Sequence, residues 1–427
     1  VSARMGDPGK SVYLHVGAPT AEAAFLHRAL WSNRRRLGDA GVCYPVTGPQ
    51  EHFGAVMDLR EMSWGGHRDP AWDGAWDRVV RRVHDWDGPA VVFSQPLLGG
   101  ATEQQVKRAV SALEPAEVHV VFATRDLGWQ LILDWQEQIR HAHTITFERF
   151  VDDLVELGID APEPYGEMFW GLHDPVRVLR AWGSAVPRER VHVLTLPPPG
   201  GRAAMWERLR TLVGVPDGVC DLGGLPGDEP LSAVEAELLR RLNERLGPAL
   251  GGDYERMVQE HFLGHGASEG GVSKGAVSGA GVSGGGAGSG GPARTAGGTA
   301  GADRTRMGLP ARHAAWAARR TRELAESLRA SGYDVAGDLD ELTTSRAPEA
   351  AMLPGDVPEE LVATASIGVV AHLLEELSLA RERVGLAHLH SEMEGVRENL
   401  ERLMETAASP SPALQRAARR ATGRRNP

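Results

Sequence analysis

Ser11-Val12-Tyr13-Leu14-His15-Val16-Gly17-Ala18-Pro19-Thr20-Ala21-Glu22-Ala23-Ala24-Phe25-Leu26 is the stretch on which the architecture turns. Positions 11–16 form a short, largely apolar run that reads as a buried strand. Gly17-Ala18-Pro19 then breaks the pattern. From about Ala21 to Ala40 a helix is expected, with Leu26, Leu30 and Leu37 on one face and Gly41 as its C-terminal stop. A strand feeding a tight turn and then a helix is a ready anion site. The helix N-terminus offers unpaired N–H groups and the positive end of its dipole.

Further strands are expected at 90–93, 117–123 and 191–196, separated by helices at 101–113, 146–157 and 176–182. Strands that alternate with helices predict an α/β fold: a three-layer α/β/α sandwich around a parallel sheet. Ligands in such sheets bind beyond the carboxyl ends of the strands. Residues 264–303 are rich in Gly, Ser and Ala and cannot bury enough apolar surface to offset their ordering entropy, so they read as a disordered insert. A basic helix at Ala311–Ser331 follows, ended by Gly332-Tyr333-Asp334, then a helix from about Glu359 to Arg383 and another to about Thr406. The division is therefore an α/β domain at 1–263, the insert at 264–303, the rest of the domain at 304–345, C-terminal helices at 346–408 and a basic tail at 409–427. Leu400, Leu403 and Met404 give the C-terminal helices an apolar stripe that reads as a packing face; a protein partner on these helices is expected only if the protein is a non-catalytic module.

The 427 residues are 42% hydrophobic and carry a net charge of −11, which argues against a nucleic-acid partner. Cys43 and Cys220 stand far apart with no metal-ligand spacing, which fits a reducing, cytoplasmic setting. Neither an apolar leader at the N-terminus nor a run of about 18 consecutive apolar residues is found, so no membrane span is expected. Lysine is confined to Lys10, Lys107 and Lys274, while Arg, Ala and Gly abound, as in a GC-rich, actinobacterial-type genome. Gly9-Lys10-Ser11 imitates the end of a phosphate-binding P-loop, but Arg4 stands where that motif needs Gly, and the strand follows the motif instead of preceding it.

Leu14-His15-Val16-Gly17-Ala18-Pro19 resembles the first motif of sulfotransferases that use 3′-phosphoadenosine 5′-phosphosulfate (PAPS), whose loop reads Pro-Lys-Thr-Gly-Thr-Thr before an aromatic residue and Leu. Thr124-Arg125-Asp126-Leu127, with Trp135-Gln136-Glu137 on the following helix, resembles the second motif, whose Arg binds the 3′-phosphate. The blocks at 191–197, 235–243 and 332–339 are also similar to bacterial members, so the resemblance covers about 11–345, interrupted by the insert. It implies a P-loop-like sulfotransferase fold and PAPS held by Gly17, Pro19, Thr20, Ala23, Ala24 and Arg125. It implies sulfuryl transfer to a hydroxyl or amine of a small-molecule acceptor, without a metal.

Against the family loop, Pro19, Phe25 and Leu26 match, but Thr20 replaces Lys, Ala21 replaces Thr, Glu22 replaces Gly, and Ala23 and Ala24 replace two Thr. Sulfuryl transfer rests on positioning and on cations that stabilise the leaving oxygen. Thr20 carries no charge, and Arg28 would reach the group only with a different geometry. Glu22 at a helix N-terminus either points outward as a good first-turn residue or faces the anion site. Facing it, the carboxylate would repel a phosphate by about 4 kcal/mol at roughly 4 Å and intermediate dielectric, or occupy the site itself. Arg125 suits a phosphate, but could equally form a structural salt bridge to Asp126 or Asp134.

Ser94-Gln95-Pro96 stands where bacterial members often have Ser-His-Glu, and Leu133 where the second motif often has Ser. Candidate general bases are His52 and His173, the latter followed by Asp174. His141 with His143, and His388 with His390, lack further ligands in pattern, so no metal site is expected. The same residues admit two functions: a PAPS-dependent sulfotransferase, or a catalytically inactive member serving as a binding or protein-interaction module.

Overall fold

The computed structural model describes residues 9–64, 67–197, 201–223, 225, 230–250, 254, 307–344 and 352–408. The insert at 264–303 and the tail at 409–427 lie outside the described residues. Chain contacts divide the protein into a unit of residues 1–365 and a unit of residues 366–427.

The first unit is built on six parallel strands: β1 (Ser11–Gly17), β2 (Val42–Cys43), β3 (Ala90–Ser94), β4 (Glu117–Thr124), β5 (Val191–Thr195) and β6 (Asp334–Ala336). Their order is β2-β3-β1-β4-β5-β6. Every residue of β3 and β5 is buried, which requires helices on both faces of the sheet.

Among the described residues, the helices of this unit are α1 (Ala21–Ser32), α2 (Arg34–Asp39), α3 (Glu51–Arg60), α4 (Ala75–Asp85), α5 (Glu103–Ala112), α6 (Leu127–Arg140), α7 (Phe147–Glu156), α8 (Tyr165–His173), α9 (Pro175–Gly183), α10 (Arg202–Val213), α11 (Ala233–Leu250), α12 (Ala311–Ser331) and α13 (Glu341–Thr344). α1 and α10 touch each other, while α9 touches both α5 and α12. The α/β/α sandwich expected from the alternation of elements is thus the architecture observed.

Two differences from the sequence reading have clear causes. The helix expected over 21–40 is two helices broken at Asn33. The Asn33 side chain donates to the carbonyl of Asp221 at 2.9 Å and accepts from its amide at 2.8 Å, a tie to a distant loop. The two C-terminal helices are one, α14 (Glu359–Ala408), whose sequence holds no proline to end it. Within it, Glu359–Leu379 has a mean hydropathy of 1.4 and is long and apolar enough to cross a membrane by length and composition, although polar residues interrupt the apolar ones, which is why the sequence shows no unbroken run.

β1 is where the strand order reverses, with β2 and β3 to one side and β4, β5 and β6 to the other. Its carboxyl end is therefore the place where such a sheet presents a crevice. The rim there is tight. A Cβ on Gly17 would stand 2.5 Å from the Phe122 ring and 3.3 Å from the Leu172 carbonyl, and one on Gly99 would stand 2.6 Å from the Val16 carbonyl. Glycine at both positions lets α8 and the segment after β3 close on the end of β1.

Candidate functional site

The turn after β1 is held to the neighbouring strand, because the Ala18 amide donates to the Ala123 carbonyl at 2.9 Å. α1 then starts at once. Thr20 is its N-cap, in extended conformation, and its hydroxyl accepts from the Ala23 amide at 3.2 Å. The Thr20 hydroxyl is thus engaged in capping.

Glu22, in the first turn of α1, does not point outward. Its carboxylate Oε2 contacts Nη2 of Arg125, which projects from the end of β4, and the two side chains are 4% and 2% exposed. Burial by itself would raise the Glu22 pKa. The charge of Arg125 and hydrogen bonds from Arg125, the Glu22 amide and the Thr20 hydroxyl outweigh it, holding the carboxyl below its ordinary value. Arg125 therefore bridges to neither Asp126 nor Asp134. Its Nε and Nη1 have no hydrogen-bond partner in the protein.

Both aspartates have other tasks. Asp126 caps α6, accepting from the Trp129 amide at 3.0 Å. It also receives the Thr321 hydroxyl from α12 at 3.2 Å, while the Leu127 amide donates to that hydroxyl at 3.1 Å. A helix beyond the insert thereby braces the segment next to Arg125. Asp134 pairs with His173 Nε2 of α8 at 3.3 Å, and Phe169 stacks on the imidazole at 4.9 Å between ring centroids. Asp134 Oδ2, His173 Nδ1 and Gln130 Nε2 are buried without hydrogen-bond partners. Residues 126, 130 and 134 share one side of α6 by their spacing.

Of the residues expected to cradle an anion, Gly17 and Ala23 are buried, Pro19 and Thr20 are partly covered, and Ala24 is exposed on the outer side of α1. His173 follows Leu172, whose carbonyl lies against Gly17, so it sits beside the turn. His52 belongs to a separate cluster. It stacks on His27 at 3.7 Å between centroids, and His27 Nδ1 lies 2.7 Å from the Tyr44 hydroxyl. Burial, then the neighbouring His27, pushes the His52 pKa down to about 3. His15 of β1 is buried, with Nδ1 2.9 Å from the Ser94 hydroxyl, and burial lowers it to about 4. Both imidazoles are neutral at pH 7.

Lys10 lies at the opposite end of β1, its amine bonded to the carbonyls of Val83 at 2.6 Å and His84 at 3.1 Å. Lys107 is exposed on α5, and Lys274 lies outside the described residues. Arg125 is a buried cation at this corner, and no described lysine reaches it. His141 pairs with Glu137 at 3.3 Å, and His143 Nδ1 lies 3.2 Å from the Tyr165 hydroxyl. The side chains of His388 and His390 lie outside the described residues. Among the described residues, no three His, Cys, Asp or Glu side chains gather where a metal could be held.

Sequence reasoning named Glu22, Arg125 and His173, but it missed Thr321, Gln130 and His15. Glu22 at a position suited to glycine was the signal for the plugged corner. Nothing in the local pattern of α12 marks Thr321.

No protein-family model matches the chain, and no curated protein matches it. Among solved structures, the chain is similar to a sulfotransferase from Alicyclobacillus acidocaldarius at 16% identity, covering 59% of this chain and 100% of that one with a TM-score of 0.34.

Proposed function

We propose that this protein is of sulfotransferase type and takes an anionic nucleotide, PAPS or its product 3′-phosphoadenosine 5′-phosphate, at the corner between β1, α1 and β4. The observation that carries this reading is the Arg125 guanidinium, buried at the end of β4 with Nε and Nη1 unpartnered, beside a helix N-terminus. A planar fork with free N–H groups fits a phosphate. The proposed reaction is sulfuryl transfer to a hydroxyl or amine of a small-molecule acceptor, in the cytoplasm. In this reading His173, which pairs with Asp134 at 3.3 Å, takes the acceptor's proton. The fit is incomplete, since Thr20 supplies no charge to a leaving oxygen and Glu22 holds Arg125. Transfer is accordingly slow in this reading.

The alternative to this reading is a fold kept as a binding module, with α14 meeting a protein partner. Calorimetric titration with 3′-phosphoadenosine 5′-phosphate tests the first reading. Measurable binding by the wild type that weakens at least tenfold in Arg125→Ala is expected, together with tighter binding by Thr20→Lys/Glu22→Gly. Absence of heat at millimolar nucleotide for both the wild type and the double variant removes the nucleotide and leaves the module.

A further inference from the structure

We propose that Glu22 is an internal stand-in for the tetrahedral anion of the ligand, so that a phosphate or sulfate group enters this corner only by displacing the carboxylate from Arg125. The inference rests on the nucleotide reading for the identity of the physiological ligand, but its physical content is the exchange of one anion for another.

Three features converge on the carboxylate. It sits in the first turn of α1, where a negative charge meets the positive end of the helix dipole. It contacts the guanidinium of Arg125 with both side chains almost fully covered. Thr20, one turn-start earlier, satisfies the Ala23 amide, which leaves the carboxylate as the anionic component of the corner. An outward Glu22 would cost the helix nothing, since the first turn of an exposed helix tolerates a solvated carboxylate equally well. Its inward direction means that the fold uses it against Arg125.

The exchange can run in both directions. A tethered carboxylate competes at an effective concentration of millimolar or above, so a soluble anion must make further contacts to win. Arg125 Nε and Nη1 are donors that the carboxylate leaves unused and that a larger tetrahedral group can engage. Removal of the carboxylate leaves a buried guanidinium facing a helix N-terminus, an arrangement that favours capture of an anion from solution.

The test compares the full-length wild type, Glu22→Ala, Glu22→Gln and the double variant Glu22→Ala/Arg125→Ala. Each is titrated with 3′-phosphoadenosine 5′-phosphate, inorganic phosphate and acetate, by calorimetry and by the thermal midpoint. The expected result is nucleotide binding at least tenfold tighter in both Glu22 single variants than in the wild type, a midpoint that rises with nucleotide in the single variants, and no response in the double variant. Glu22→Gln keeps the shape of the side chain, so the comparison stands if Glu22→Ala folds poorly without added anion.

Inorganic phosphate matching the nucleotide supports the stand-in and removes the nucleotide reading. Wild-type affinity within twofold of both Glu22 single variants, lost in the double variant, overturns the stand-in and keeps the nucleotide. Rescue by acetate with no response to either phosphate compound overturns it as well, and reduces the pair to a structural salt bridge.

Discussion

Replacing Arg125 by Met leaves the Glu22 carboxylate buried without its cation. The side-chain exposures of 2% and 4% place the pair firmly among buried ion pairs. Removing one partner of such a pair costs about 3–5 kcal/mol, against 0–1 kcal/mol for an exposed pair. A loss of that size at pH 7 is the expected result for Arg125→Met. Its pH dependence follows from the carboxyl. In the wild type the folded-state pKa of Glu22 is depressed, so its contribution is fully present above the unfolded value of 4.5 and is lost as pH falls through the folded value. In Arg125→Met the remaining large influence is burial, which raises the carboxyl pKa. The variant's Glu22 therefore takes up a proton at higher pH than the wild type's, and the deficit shrinks as pH falls from 7 toward 4. Adding Glu22→Gln to Arg125→Met removes the unpaired charge and should restore stability to within about 1–2 kcal/mol of the wild type. Urea unfolding followed by the fluorescence of the 11 tryptophans measures all three proteins across pH. A deficit below about 1 kcal/mol at pH 7, or one that does not change with pH, refutes the buried pair.

Gly17→Ala forces a Cβ to within 2.5 Å of the Phe122 ring and 3.3 Å of the Leu172 carbonyl. It should cost about 1–3 kcal/mol in the same assay, and an unchanged midpoint would disprove the close approach. Thr321→Val deletes the hydroxyl shared by Asp126 and the Leu127 amide, both buried. About 1–3 kcal/mol is expected, with faster hydrogen exchange at Leu127 as the local signature; unaltered exchange there counts against the brace. Burial pushes the thiols of Cys43 and Cys220 up to about 11, so alkylation by iodoacetamide at pH 7.5 should be at least tenfold slower than for free cysteine and should climb steadily toward pH 10. Rapid reaction at pH 7.5 contradicts that environment.

The elements of the sheet were legible because each depends on nearby residues. Apolar runs at 90–93, 117–123 and 191–196 announce buried strands, and the run at 11–16 followed by Gly17-Ala18-Pro19 announces a strand, a turn and a helix. The observed β1, β3, β4 and β5 lie on those runs. β6 is three residues long and follows a helix, too short to carry a periodicity of its own. The break at Asn33 was likewise invisible, since it is made by a loop at Asp221.

Residue types at the corner were also readable in sequence: a threonine for the cap, a glutamate in the first turn, and an arginine where a strand ends. The direction of the glutamate was not. A carboxylate in a first turn gains from the helix dipole whether it faces water or the interior, so local energetics leave both orientations open. The choice was made by tertiary structure. Parallel pairing of β1 with β4 brings Arg125 to the start of α1, and a buried guanidinium requires a counter-charge there. Thr321 adds its brace from beyond the insert, a contact that exists once α12 has packed against α6.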